Sequence, residues 1–219
     1  LRKRSIAVAA LLFGLLAAGP AAAAAANAVH VTDDFEDGSL DNAEWEEHEG
    51  LAVEGGRLTL AEGCAVGRGR LRLPEPPTEQ NLTFTAAGVD LSAGGRHLRA
   101  IGLRVRRVDG GTGEGEVVFG VLRVWCADRE GAQTKAELRL GVVGGGPPQV
   151  ADATGELAGG NKDLVLELHG ASARLELGAA SVAMALSVVG DIRLCRVELH
   201  GDAALGAKPY VDEISAQSN

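Results

Sequence analysis

Three of the four aspartates in DDFEDGSLDNAEW, residues 33–45, stand closest together: Asp33, Asp34 and Asp37. Asp212 lies far downstream in KPYVDEISA, residues 208–216. Calcium takes six to eight oxygens from carboxylates, carbonyls and water. If the two segments pair, these four acids make a candidate structural calcium site. Their spacing is not that of an EF-hand loop. The plainer alternative is an acidic turn whose carboxylates accept hydrogen bonds from loop amides. No other cofactor is implied.

Acid–base chemistry finds less support. EWEEHE, residues 44–49, holds Glu44, Glu46, Glu47 and Glu49, and reads as a solvated loop after the first strand. GEGEVVFG, residues 113–120, carries Glu114 and Glu116. A retaining glycosidase needs two carboxyls about 5 Å apart across a cleft, and no pair here is assigned that role. There is no G-x-S-x-G elbow, and His30, His48, His97, His169 and His200 are scattered. Gly144 to Gly146 precede Pro147-Pro148 rather than a helix, which excludes a phosphate loop. Cys64, Cys126 and Cys195 are far apart with no C-x-x-C pair, so zinc is not expected. Two of them can form a disulfide in an oxidising compartment, leaving one over; the alternative is that they are small buried hydrophobes. No catalytic residue is assigned.

The elements that must position these groups are strands. Residues alternate in RGRLRL (68–73), HLRAIGLRVRR (97–107), KAELRLGVV (135–143), DLVLELHG (163–170), ARLELG (173–178) and RLCRVELHG (193–201). Successive strand side chains point to opposite faces, so this is the pattern of half-buried sheets. VVFGVLRVWCA, 117–127, is apolar on both faces and suits a central strand covered on both sides. AASVAMALSVV, 179–189, fits a strand by its Val182, Met184, Leu186, Val188 spacing, although its alanines also suit a helix. Gly55-Gly56, Gly94-Gly95, Gly110-Gly111, Gly144 to Gly146 and Gly159-Gly160 punctuate the strands with residues that tolerate positive φ. About a dozen short strands with turns between them predict an all-β antiparallel sandwich or jelly roll.

The first 28 residues read as a secretory signal peptide. Arg2, Lys3 and Arg4 form its basic end, Ile6 to Ala18 its apolar stretch, and Ala26-Asn27-Ala28 its cleavage site. Gly19-Pro20 breaks the apolar run, which makes it a poor membrane span. Residues 29–219 then form one exported domain of roughly 190 residues, long enough to bury about 70% of its unfolded surface. The whole chain carries a formal charge of -9, and loss of the leader makes it more acidic. An acidic balance argues against nucleic acid and anionic membranes as partners. The expected location is secreted or periplasmic, and the Ala, Gly and Arg content suggests a GC-rich bacterial genome.

The opening D-D-F-x-D-G-x-L-D-x-x-x-W (33–45), the G-G-R-L-T-L hairpin (55–60) and the closing Y-V-D-E-I-S (210–215) resemble the concanavalin A-like lectin/glucanase superfamily, which includes laminin-G-like domains. The resemblance implies a jelly roll whose first and last strands lie side by side. Glucanases of that group carry an E-x-D-x-x-E strand motif, and this sequence has no match to it. Aromatic residues are few: Phe35, Phe84, Phe119, Trp45, Trp125 and Tyr210 follow the leader, and most are expected in the core. Arg70, Arg72, Arg104, Arg106, Arg139, Arg174 and Arg196, with Glu167, make a charged face if their strands share a sheet. Guanidinium forks match carboxylates and sulfates. The bland reading is a solvent face, because Glu137, Glu176 and Glu198 alternate with those arginines. Arg104, Arg106 and Arg139, with Trp45 and Tyr210, are the candidate ligand-binding residues. The leading expectation is a non-catalytic module that binds a polysaccharide or glycoconjugate. The alternatives are a divergent glycoside hydrolase or polysaccharide lyase, and a structural surface protein without a small ligand.

Overall fold

The computed structural model describes residues 29–73, 81–92, 97–111, 113–126, 134–155 and 162–218. The segment read as a leader and the Gly94-Gly95 and Gly159-Gly160 turns lie outside them. The chain runs through β1 (His30–Asp33), β2 (Trp45–Glu49), β3 (Leu51–Val53), β4 (Leu58–Leu60) and β5 (Val66–Leu71). It continues through β6 (Leu82–Val89), β7 (Arg99–Val108), β8 (Gly115–Cys126), β9 (Thr134–Gly144) and β10 (Gln149–Gly155). β11 (Lys162–His169), β12 (Ser172–Leu177), β13 (Ala180–Ala185), β14 (Asp191–His200) and β15 (Glu213–Gln217) complete the strands. One 3-10 turn, Ala203–Leu205, precedes β15. Among the described residues no helix is long and apolar enough to cross a membrane.

Two antiparallel sheets carry the core between them. One has six strands in the order β1-β15-β6-β11-β12-β13; the other has seven, β10-β9-β8-β7-β14-β5-β2. The alternation read from the sequence assigns their inner faces correctly. Leu164, Leu166, Leu168, Leu175 and Phe84 are buried on one sheet; Ile101, Leu103, Val105, Leu138, Leu140, Val197 and Leu199 are buried on the other. Each such side chain contributes about 1.5–3 kcal/mol through its burial. Gly120 on β8 makes room for the Leu175 side chain of the facing sheet, since a Cβ there would overlap it. The 180–185 segment is a strand, β13, as its spacing predicts.

β1 pairs with β15 in register from His30↔Gln217 to Asp33↔Ile214, so the first and last strands do lie side by side. The β3–β4 hairpin turns through Gly55 (φ +61°) and Gly56 (φ +73°), closed by reciprocal Glu54–Arg57 backbone hydrogen bonds. Positive φ at both central residues gives the turn the twist its strands need.

Two sequence readings are corrected. Residues 45–49 are not loop: they form β2, the edge strand of the larger sheet, and a row of glutamates is a common way to keep such an edge from pairing with another chain. β8 is central but is not covered on both sides, because Val117, Phe119 and Val121 are half-exposed on the outer face. Of the cysteines, Cys64 and Cys195 are free thiols rather than disulfide partners. Cys195 faces the core, where burial pushes its thiol pKa up.

Candidate functional site

The acids of the opening stretch are engaged in turns. Asp33 accepts from the Phe35 amide (2.8 Å), the Asn42 Nδ2 amide (3.0 Å) and the Trp45 indole Nε1 (2.5 Å). Asp34 accepts from the Glu36 amide at 3.2 Å, and Asp37 from the Ser39 amide at 2.9 Å. These are local side-chain-to-backbone bonds two residues on, the physical use of Asp in turns. Asp212 instead takes Arg57 Nε at 2.5 Å, while Arg57 also donates to the Gly88 carbonyl at 3.3 Å. Asp33, Asp34 and Asp37 thus serve the opening turns, and Asp212 stands with Arg57 beside the β3–β4 hairpin. Among the described residues no three His, Cys, Asp or Glu side chains form a group that could hold a metal ion.

Trp45 is buried. It is 3% exposed, its ring packs 6.4 Å from that of Phe35, and its indole N–H is held by Asp33. Tyr210 lies at the β3–β4 hairpin instead, its ring covered by Arg57 at 5.1 Å and its hydroxyl 3.5 Å from Glu54. Neither side chain joins the arginine face. Glu167 and Arg174 also fall elsewhere, on β11 and β12 of the six-stranded sheet.

Arg104, Arg106 and Arg139 do share the outer face of the seven-stranded sheet with Arg68, Arg70 and Arg196. Strand register places one side chain from every strand in a single line: Glu47, Arg70, Arg196, Arg104, Phe119, Gly141 and Val150. The neighbouring line reads Glu49, Arg68, Glu198, Gly102, Val121, Arg139 and Asp152. At the usual strand spacing such a line is about 29 Å long.

The line is charged at one end and apolar at the other. At the charged end Arg70 pairs with Glu46 (2.7 Å) and Arg196 with Glu47 (3.0 Å). An open depression of about 350 Å³ lies there, lined by Glu47, His48, Glu49, Arg68, Gly69, Arg70 and Arg196. In the middle, the Arg104 guanidinium stands 5.9 Å from the Phe119 ring centroid, within cation–π range. Phe119 lies across Gly141, where a Cβ would run into the ring. Gly141→Ala is therefore expected to lift Phe119 off the sheet, at a cost of about 1–3 kcal/mol. A lowered melting temperature with altered near-ultraviolet circular dichroism would register it; an unchanged melting curve would contradict it. Further along, Arg139 is held by Glu137 (2.6 Å) and Asp152 (2.8 Å).

Glu198 anchors the centre of this face. Its side chain is only 6% exposed although it points outward, because Arg104 (2.9 Å) and Arg68 (3.5 Å) close over it. His200 stands 3.8 Å away. The His200 contact, then the two guanidiniums, hold the Glu198 carboxyl below the usual carboxylate range, against the desolvation that burial imposes. In the sequence Glu198 is only one of several alternating charges, and Phe119 is only one of six aromatics, most of them expected in the core. The usable signal was local: in VELHG the glutamate shares its strand face with His200 and Arg196, and in VVFGV the phenylalanine shares its face with Val117 and Val121.

No protein-family model matches the chain, and no curated protein sequence matches it. Solved structures do. The CBM2 module of the evolved Dit of Lactobacillus casei BL23 phage J-1 matches with a TM-score of 0.59 at 10% identity, over 88% of this chain and 96% of that one. A β-glucanase of Bacillus licheniformis matches at 0.54 with 8% identity, over 87% and 98%. An immunostimulatory antigen and pseudo β-1,3-glucanase of Mycobacterium tuberculosis matches at 0.54 with 12% identity, over 87% and 99%. Identities this low speak for architecture alone, and with the two antiparallel sheets they establish that this chain has the concanavalin A-like jelly-roll fold.

Proposed function

We propose that the chain is a non-catalytic glycan-binding module that acts outside the cytoplasm and takes an extended polysaccharide across the outer face of its seven-stranded sheet. The observation that carries this reading is the line from Glu47 to Val150, in which hydrogen-bonding forks are followed by an Arg104–Phe119 stack. A polymer chain crossing the strands would meet donors, then an aromatic ring, at intervals of about 5 Å. The fold likeness to a CBM2 module, a β-glucanase and a pseudo β-1,3-glucanase supports a carbohydrate-related role. Of the four carboxylates in the two lines, Glu198 is closed over by arginines, Glu47 is paired with Arg196, Asp152 is paired with Arg139, and Glu49 lies on the edge strand β2. Three of the four are thus committed to guanidiniums. The departure from the E-x-D-x-x-E motif also favours the non-catalytic reading.

Native electrophoresis through gels containing single polysaccharides tests the proposal. One polymer or more is expected to retard the protein. Arg104→Ala and Phe119→Ala should each weaken that retardation about tenfold, the loss of one stacked or charge-assisted contact. Chelator should leave it unchanged, since the opening acids already hold loop amides and the Trp45 indole. No retardation by any polymer, or full retardation in both variants, overturns the reading.

A further inference from the structure

Arg70, Arg196 and Arg104 are direct cross-strand partners on β5, β14 and β7. Like charges directly opposite one another destabilise a sheet, so this line needs anions. The chain supplies them in two different ways. Glu198 is buried beneath Arg104 and Arg68 and belongs permanently to the sheet. Glu46 and Glu47 come instead from the edge strand β2, are 45% and 57% exposed, and hold Arg70 and Arg196 from the solvent side. Exposed ion pairs of this kind hold weakly. The open depression of about 350 Å³ lies where those two arginines meet β2. In a chain whose formal charge is -9, this depression gathers three guanidiniums, Arg68, Arg70 and Arg196, beside two lining glutamates, Glu47 and Glu49.

We propose that this depression is a subsite for an anionic sugar residue, whose carboxylate or sulfate takes Arg70 and Arg196 from Glu46 and Glu47. Planar guanidinium forks match either group with paired hydrogen bonds. Glu46 and Glu47 act as stand-ins for the ligand's anions, and Glu198 keeps Arg104 in place while they are displaced. This inference rests on the glycan-binding reading and names the class of glycan.

The test measures retardation of the whole chain in gels holding a neutral β-glucan, a polyuronate, a sulfated galactan or poly-L-glutamate. Retardation is expected with the polyuronate or the sulfated galactan, and the better of the two identifies the anion. Arg196→Gln and Arg70→Gln should each weaken it about tenfold. The double variant Glu46→Gln/Glu47→Gln should strengthen it severalfold; it sits on an exposed edge and should fold normally. Retardation by the neutral glucan alone overturns the anionic subsite and leaves the glycan module standing. Equal retardation by poly-L-glutamate upholds the anion site and overturns the sugar. Anionic retardation that the double variant weakens overturns the displacement step, and no retardation by any polymer overturns both proposals.

Discussion

Replacing Asp33 by alanine is expected to lower the unfolding free energy by about 3–5 kcal/mol. Its carboxylate is buried and accepts three hydrogen bonds, from the Phe35 amide, the Asn42 side chain and the Trp45 indole. Without it the indole N–H of a buried tryptophan has no acceptor, and an unsatisfied buried donor carries its full desolvation cost. Phe35 adds to the loss. It has a φ of +59°, a conformation that a bulky side chain adopts only when its surroundings impose it. The Asp33 bond to its amide and the Gly38 amide bond to its carbonyl are what impose it. Asp34→Ala and Asp37→Ala each remove one exposed turn bond and should cost about 1 kcal/mol or less. Denaturant midpoints of the three variants decide the matter. Equal, small losses in all three would show that Asp33 is an ordinary turn residue.

Glu198→Ala should come next, at about 1–3 kcal/mol, because it removes the charge-assisted contacts that Arg104 and Arg68 share and leaves two like charges side by side on the sheet. Glu198→Gln keeps the shape and should cost less while still losing the charge. The carboxyl's pKa in the folded chain is depressed, so its contribution to stability is fully present above the unfolded value of about 4.3 and is lost as pH falls through the lower, folded value. Acid melts should therefore show the wild type losing stability more steeply below about pH 4.3 than Glu198→Gln. Parallel curves for the two proteins would remove Glu198 from the role of anchor. The same variant should weaken polysaccharide retardation, since Arg104 would no longer be held beside Phe119.

The face assignments were legible because strand alternation is a local property. The outward Arg104 and Arg106, and the inward Ile101 and Leu103, follow from period two alone. The Gly55-Gly56 hairpin was legible for the same reason, since a two-residue turn carries its own chemistry. Which arginines stand side by side was not legible, because that depends on register. β14 shifts against β7 between Ile192 and Leu194, and β2 against β5 between Trp45 and Glu47. A slip of one residue would have moved every partner to the other face. The fate of Trp45 was equally hidden. Whether a tryptophan offers its ring to a ligand or its N–H to an aspartate twelve residues earlier depends on how the intervening turns close. EWEEHE looked like loop because it is so acidic, yet that acidity is what an unpaired sheet edge requires.

The place of β15 has a kinetic consequence. This last strand is not at a margin: it lies between β1 and β6, and β1 has no other neighbour in the sheet. The pairing His30↔Gln217 joins segments separated by most of the chain's length. Until residues 213–217 have left the ribosome, β1 has nowhere to dock and β6 presents an open edge. Sheets assembled from such distant pairings form slowly, and their unfinished forms expose unpaired backbone. The six-stranded sheet is therefore completed only after residues 213–217 have been made, however early its other strands are ready.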